Sequence, residues 1–233
     1  MLLFPNMKST LYIVATPIGN LEDITFRAVR ILGEVDLILC EDTRMTAKLL
    51  AKYGIKKSLK RFDAHSSESG REAIASLLRE GKNIALVTDA GTPGISDPAS
   101  LLVEEVRRDL GEEVEVVPIP GASAVTTALS GSGIPASDFL FLGFLPHKKG
   151  RQTLMKEIGA SERAAVFYES PHRILKALAE LDTVVPERKI TIARELTKIY
   201  EEYISGTPKE VEKILTDTPE KQRGEFVVIV SPK

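Results

Sequence analysis

The chain has 233 residues, 43% hydrophobic and 27% charged, enough apolar material to bury one large core or two smaller ones. A net charge of −2 argues against indiscriminate nucleic-acid binding, and the absence of Trp with only 6% aromatic residues argues against a broad stacking platform for single strands. No stretch reaches the roughly 18 apolar residues of a membrane span, the start through Met7 lacks a signal-peptide pattern, and the lone Cys40 sits in an apolar run that suits a reducing, cytoplasmic setting.

Apolar strands and amphipathic helices alternate along the whole chain. Leu11 to Ala15 is apolar throughout, as a strand buried on both faces would be, and the turn Thr16-Pro-Ile-Gly-Asn20 follows. A helix is expected from about Asp23, with Ile24, Ala28, Ile31 and Leu32 on one face and Gly33 as its stop. Leu37 to Cys40 is the next strand. The helix after it carries Met45, Leu49, Leu50 and Tyr53 and ends at Gly54. Ser58 to Phe62 is a weaker strand, and a helix from about Ser67 presents Ile74, Leu77 and Leu78. Ile84 to Thr88 is buried strand again, leading into the loop Asp89-Ala-Gly-Thr-Pro-Gly-Ile-Ser-Asp-Pro98, whose last two residues are a strong helix start. Val114 to Ile119 closes the first half.

Pro118, Pro120 and Gly121 then break the pattern, which places domains at 1–121 and 122–233. In the second half, strands are expected at Phe139 to Phe144, Ala164 to Tyr168, Ile190 to Arg194, Tyr200 to Ser205 and Phe226 to Val230. Helices are expected at Ala122 to Ser130, Arg151 to Ile158, His172 to Leu181 and Pro208 to Leu215. Helical crossovers make the first sheet parallel, whereas the short connection before Tyr200 makes the second mixed.

Ligands of open parallel sheets bind beyond the carboxyl ends of the strands. The loops there are Thr16 to Asn20, Glu41 to Arg44, Asp89 to Asp97 and Pro120 to Ser123. Each by itself is most simply a tight turn, but together on one rim they make a site. Gly91 and Gly94 would let backbone amides approach a ligand carboxylate, and Asp89 could accept from a ligand ammonium. Dinucleotide and phosphate-loop fingerprints are absent, as are zinc-binding patterns, so no metal site is readable. Gly121-Ala-Ser-Ala-Val125 approximates a nucleophile elbow but lacks its last glycine, which leaves Ser123 as a helix cap or ligand contact.

The runs Ile13 to Asp23, Glu41-Asp-Thr-Arg44, Thr88 to Pro98, Pro120 to Ser123, Gly143-Phe-Leu-Pro146, Phe167 to Arg173, Ala193 to Lys198 and Gly224-Glu225 resemble the ribosomal RNA small subunit methyltransferase I family, within the tetrapyrrole methylase superfamily. The resemblance spans nearly the whole chain after residue 10. It implies two α/β domains with the cofactor, S-adenosylmethionine, in the cleft between them, and usually a homodimer. It implies methyl transfer to the ribose 2′-oxygen of a cytidine in the decoding region of small-subunit (16S) ribosomal RNA. Carried over by motif, cofactor contacts are Pro17, Gly19, Asp89, Ala90, Gly91, Thr92, Ser123 and Ala124, with Tyr168, Ala193 and Gly224 from the more variable half. The rival readings are a methylase of the same superfamily acting on a tetrapyrrole or a modified histidine, and a non-catalytic RNA-binding adaptor.

An acidic protein that binds RNA must concentrate its positive charge locally. Lys148, Lys149 and Arg151, in a loop after Pro146, are the best RNA candidates beside the solvated-surface alternative. Lys56 to Arg61 and His172, Arg173 and Lys176 are the other basic clusters. Arg44, on the ligand rim, is an RNA candidate whose plainer role is an ion pair with Glu41 or Asp42. A ribose hydroxyl is a poor nucleophile until its proton leaves. Glu169, Asp42, Glu195 and His65 are candidate bases, and the sequence does not choose among them.

Overall fold

The computed structural model describes residues 8–63, 66–97 and 99–233, and the chain divides between Ser123 and Ala124 into two compact units. The first carries strands β1 (Ser9–Val14), β2 (Leu37–Cys40), β3 (Leu59–Arg61), β4 (Ile84–Leu86) and β5 (Val114–Ile119). Between them run helices α1 (Phe26–Glu34), α2 (Thr43–Lys52), α3 (Glu68–Arg79) and α4 (Ala99–Leu110). The sheet is parallel, in the order β3-β2-β4-β1-β5.

Strand alternation sorts this core into two layers. Val14, Ile38, Cys40, Ala85 and Val87 face Ala28, Ile31 and Leu32 of α1 and Leu50 of α2. Leu11, Leu39, Ile84 and Leu86 face Ile74 and Leu78 of α3 and Leu102 and Val106 of α4. So β1 exits toward the α1 layer, while its neighbour β4 exits toward the α4 layer. That reversal makes the carboxyl ends of β1 and β4 the switch point of the sheet, the place where open α/β sheets bind their ligands.

The second unit has a mixed sheet, in the order β6-β7-β10-β8-β9. Its strands are β6 (Phe139–Phe144), β7 (Ala164–Glu169), β8 (Ile190–Arg194), β9 (Glu202–Gly206) and β10 (Phe226–Val230). The β6–β7 pair is parallel and the others antiparallel. Helices α5 (Ala124–Ser132), α6 (Arg151–Ala160), α7 (Ile174–Val184) and α8 (Pro208–Asp217) accompany it. Phe167, Ile192 and Val228 of the inner strands join Ile174, Leu178 and Leu181 of α7 and Val211 and Leu215 of α8 in one core. Thr207 and Glu210 cap α8 reciprocally.

Several elements depart locally from the sequence expectation. Helix α1 starts at Phe26 because Thr25 accepts from the Ala28 amide, and Leu21–Asp23 forms a separate short 3-10 turn. Gly33 lies inside α1 and does not stop it; the end comes at Glu34. Met45 is exposed, with Thr46 buried in its place. Helix α5 runs through Gly131 to Ser132. Asp97 accepts from the Ala99 amide at the start of α4, while Pro98 lies outside the described residues. Cys40 is fully buried, and burial pushes its thiol pKa up.

Candidate active site

The loops at the carboxyl ends of β1, β2, β4 and β5 are bonded to one another. Thr16 and Gly91 exchange backbone bonds across the switch point, Thr16 N to Gly91 O at 2.9 Å and Gly91 N to Thr16 O at 3.1 Å. The buried Thr16 hydroxyl donates to Thr88 O at 3.2 Å. The Asp42 amide donates to Asp89 Oδ1 at 3.0 Å, and the Thr92 hydroxyl to Ala122 O at 3.1 Å. Residues far apart in the chain are thereby fixed into one rim.

The glycines act differently from the sequence expectation. The Gly91 amide is engaged by Thr16, and the Gly94 amide donates to Asp97 Oδ2 at 2.7 Å, so neither is free for a ligand. Gly91 sits at φ +83°, and a Cβ there would meet Ile18 Cγ2 at 3.3 Å and Ala122 O at 3.7 Å. Its smallness serves loop packing. Of the expected cofactor contacts on these loops, Gly19, Asp89 and Ala90 are exposed, Thr92 is half-buried, and Pro17 and Gly91 are buried.

The rim is acidic. Burial raises the Glu41 pKa, the carboxylates of Asp89 and Asp97 raise it further, and a bond from the Asp89 backbone works against them. Asp42 is different. Arg44 grips it through Nε at 3.0 Å and Nη2 at 2.6 Å, and this holds its carboxyl well below the usual range. The plainer expectation for Arg44, an ion pair, is what the structure contains.

Ser123 closes the first unit, and Ala124 is the first residue of α5. In the second unit, Tyr168 is half-buried between Phe141 at 5.1 Å and Phe144 at 5.2 Å, and burial raises its pKa against a bond with the Val125 backbone. Ala193 has no accessible surface and lies in β8 between β10 and β9, so the expected cofactor contact is not met there. Gly224, at φ +99°, makes room for Glu195: a Cβ on it would lie 2.5 Å from Glu195 Cγ.

Other expectations are corrected as well. Arg151 is buried, bonding Glu169 at 3.2 Å, Glu180 at 2.7 Å and Pro146 O at 3.3 Å, so it cannot reach a phosphate. Glu169 is fully buried, with Arg173 at 2.8 Å on its other oxygen and the Ser170 amide at 2.9 Å. It is the hub of an ion-pair network, out of reach of a substrate hydroxyl. Glu195 is desolvated, yet Lys198 at 2.8 Å and the Glu225 amide at 3.0 Å lower its pKa, which weakens it as a base. His65 lies outside the described residues. The sequence does not reveal Glu41 as a titrating group, because its signal is the proximity of carboxylates from distant loops.

Comparison with known proteins fits this architecture. The model of the tetrapyrrole (corrin/porphyrin) methylases matches residues 10–212. The ribosomal RNA small subunit methyltransferase I of Thermotoga maritima is 49% identical over 223 residues, covering 96% of this chain and 98% of that protein. The chain belongs to this family. The fold persists at far lower identity. A diphthine synthase superposes with a TM-score of 0.72 at 15% identity, over 96% of this chain and 90% of that one. A uroporphyrin-III C-methyl transferase from Thermus thermophilus gives 0.66 at 16%, over 96% and 97%. Among the described residues no helix is long and apolar enough to cross a membrane, and no group of His, Cys, Asp and Glu is arranged to hold a metal.

Proposed function

We propose that the protein methylates small-subunit ribosomal RNA with S-adenosylmethionine, at the ribose 2′-oxygen of a cytidine in the decoding region. The observation that carries the cofactor reading is the bonded acidic rim at the β1–β4 switch point. A rim of Glu41, Asp89 and Asp97 repels phosphate-rich nucleotides and suits a ligand with a sulfonium and an ammonium. The uroporphyrin-III C-methyl transferase of the same fold was solved with S-adenyl homocysteine. The substrate reading is supported by relatives named for small-subunit ribosomal RNA.

Bound S-adenosylmethionine supplies an electrophilic methyl group on sulfur. Gly19, Asp89, Ala90 and Thr92 would hold it on the rim, with Pro17 and Gly91 supporting the loops behind and Ser123, Ala124 and Tyr168 as further contacts. The work left to the protein is positioning, since the electrophile is already activated. Asp42, the remaining described base candidate, becomes available only if Arg44 lets go of it, and Arg44 released to an RNA phosphate would do that. Lys148 and Lys149 are exposed on the loop after Pro146 and would neutralise further phosphates. A homodimer is part of this reading.

The test is calorimetry with S-adenosylmethionine, followed by transfer of a labelled methyl to isolated small subunits. A 2′-O-methyl blocks the hydroxyl that drives alkaline cleavage, so the label should stay in an alkali-resistant dinucleotide. Label in a base, in protein or in a tetrapyrrole would overturn the substrate assignment.

A further inference from the structure

Strand β6 is an edge strand, paired only with β7 in its sheet. Its register breaks near the end: Phe141 pairs with Val166 but Phe144 with Tyr168, so β6 has an extra residue over that interval. Gly143 sits at φ +60° in the break. A bulge of this kind re-aims a side chain. The residue re-aimed is Phe144, 57% exposed, with its ring against Tyr168. The fold forgoes burying a large apolar ring here.

The mount under this ring is rigid. Leu145, the next residue, is buried. Its carbonyl accepts from Arg173 Nη1 at 2.9 Å, and the Pro146 carbonyl accepts from Arg151 at 3.3 Å. Both arginines are locked on the buried Glu169. From this clamp the chain runs out through exposed His147, Lys148 and Lys149, and Gly150 at φ +85° returns it to α6. Two arginines and a carboxylate thus fix a short segment that presents outward the Phe144 ring, the His147 imidazole and a pair of lysine cations.

A π-face beside cations fits a particular ligand chemistry. An unpaired nucleobase stacks on the ring while the lysines take adjoining phosphates, and a duplex, whose bases are already stacked, cannot use the ring. We infer that Phe144 is the stacking platform for an unpaired base of the RNA substrate, with Lys148 and Lys149 holding its backbone. The inference rests on the proposed RNA substrate. Low aromatic content speaks against a platform for many bases, whereas a single ring selects one nucleotide. Its contact with Tyr168 would place that nucleotide a ring's width from a proposed cofactor contact.

The protein contains no Trp, so Phe144→Trp creates a unique fluorophore at the platform. Binding of small subunits, or of an unstructured mixed-sequence oligoribonucleotide, should quench its emission while affinity is retained. Phe144→Ala should weaken RNA affinity about five- to one-hundred-fold without changing the salt dependence, since no charge is removed. Unquenched emission at saturating RNA, or unchanged affinity of the alanine variant, would overturn the proposal. So would a loss of self-association in Phe144→Ala with RNA binding intact, which would make the ring an interface between copies. If the wild-type protein itself fails to bind RNA, the RNA substrate assignment falls, an outcome distinct from failure of the platform.

Discussion

Gly224 holds φ at +99° with Glu195 pressed against it, and Glu195 in turn sits at φ +50°. Gly224→Ala should therefore cost about 1–3 kcal/mol and lower the melting temperature by several degrees in a thermal scan. Glu169 offers a sharper contrast. As a buried hub between Arg151 and Arg173, its replacement by Gln should cost about 3–5 kcal/mol in denaturant titration. A catalytic base at that position would instead leave stability intact and remove turnover. Glu41 is the third residue whose environment makes a prediction. Its pKa is raised in the folded state, so its favourable contribution is full below the ordinary carboxylate pKa and is lost as pH rises through the folded value. Glu41→Gln should melt higher than the wild type at neutral pH, and the difference should vanish in acid. None of these roles is local: Arg151 looks like part of a basic loop until β7 supplies Glu169 beneath it, and Glu41 looks ordinary until the loop after β4 delivers Asp89. The residues of the rim can be named from the sequence because strands announce their carboxyl ends. The bonds that occupy the Gly91 and Gly94 amides cannot.

Helix α5 shows why element ends are harder to read than element types. The sequence expectation ends this helix at Ser130, yet it continues through Gly131 to Ser132, and the ring of Tyr203 of β9 lies across Gly131 and requires a small residue there. A Cβ on Gly131 would come within 2.5 Å of the Tyr203 ring, whose hydroxyl donates to Thr127 O at 3.0 Å on the same helix. Helix propensity favours Gly131→Ala by about 1 kcal/mol. Overpacking against the ring opposes it by about 1–3 kcal/mol, so the expected sign is destabilising, and chemical denaturation decides it. Gly33 misleads in a similar way, since a glycine near a helix end is a stop only if the chain needs φ above zero there. By contrast Ile190–Arg194 and Phe226–Val230 have the bounds expected of them, since strands buried along their whole length have no polar face to blur their limits, and the partly exposed Val114–Ile119 and Phe139–Phe144 keep theirs as well.

At the scale of the molecule, charge is divided unevenly: the protein is slightly acidic overall, with acidic groups on the first unit's rim and a lysine pair on the second unit's loop. Changing Lys148 and Lys149 together to Ala should reduce the salt slope of small-subunit binding by about one for each phosphate no longer neutralised, and leave cofactor affinity unchanged. An unchanged slope would make the loop a solvated surface. The strand order of the first sheet has a consequence for synthesis. β1 and β2 are consecutive in the chain but never neighbours, because β4 lies between them. A growing chain therefore holds two apolar strands with open edges until residues 84–86 emerge. Those few residues pair with β1 on one side and β2 on the other. Any nascent chain stalled before Ile84 would have the first strands of the sheet without the one that joins them, and would depend on the ribosome surface or a chaperone to stay out of aggregates.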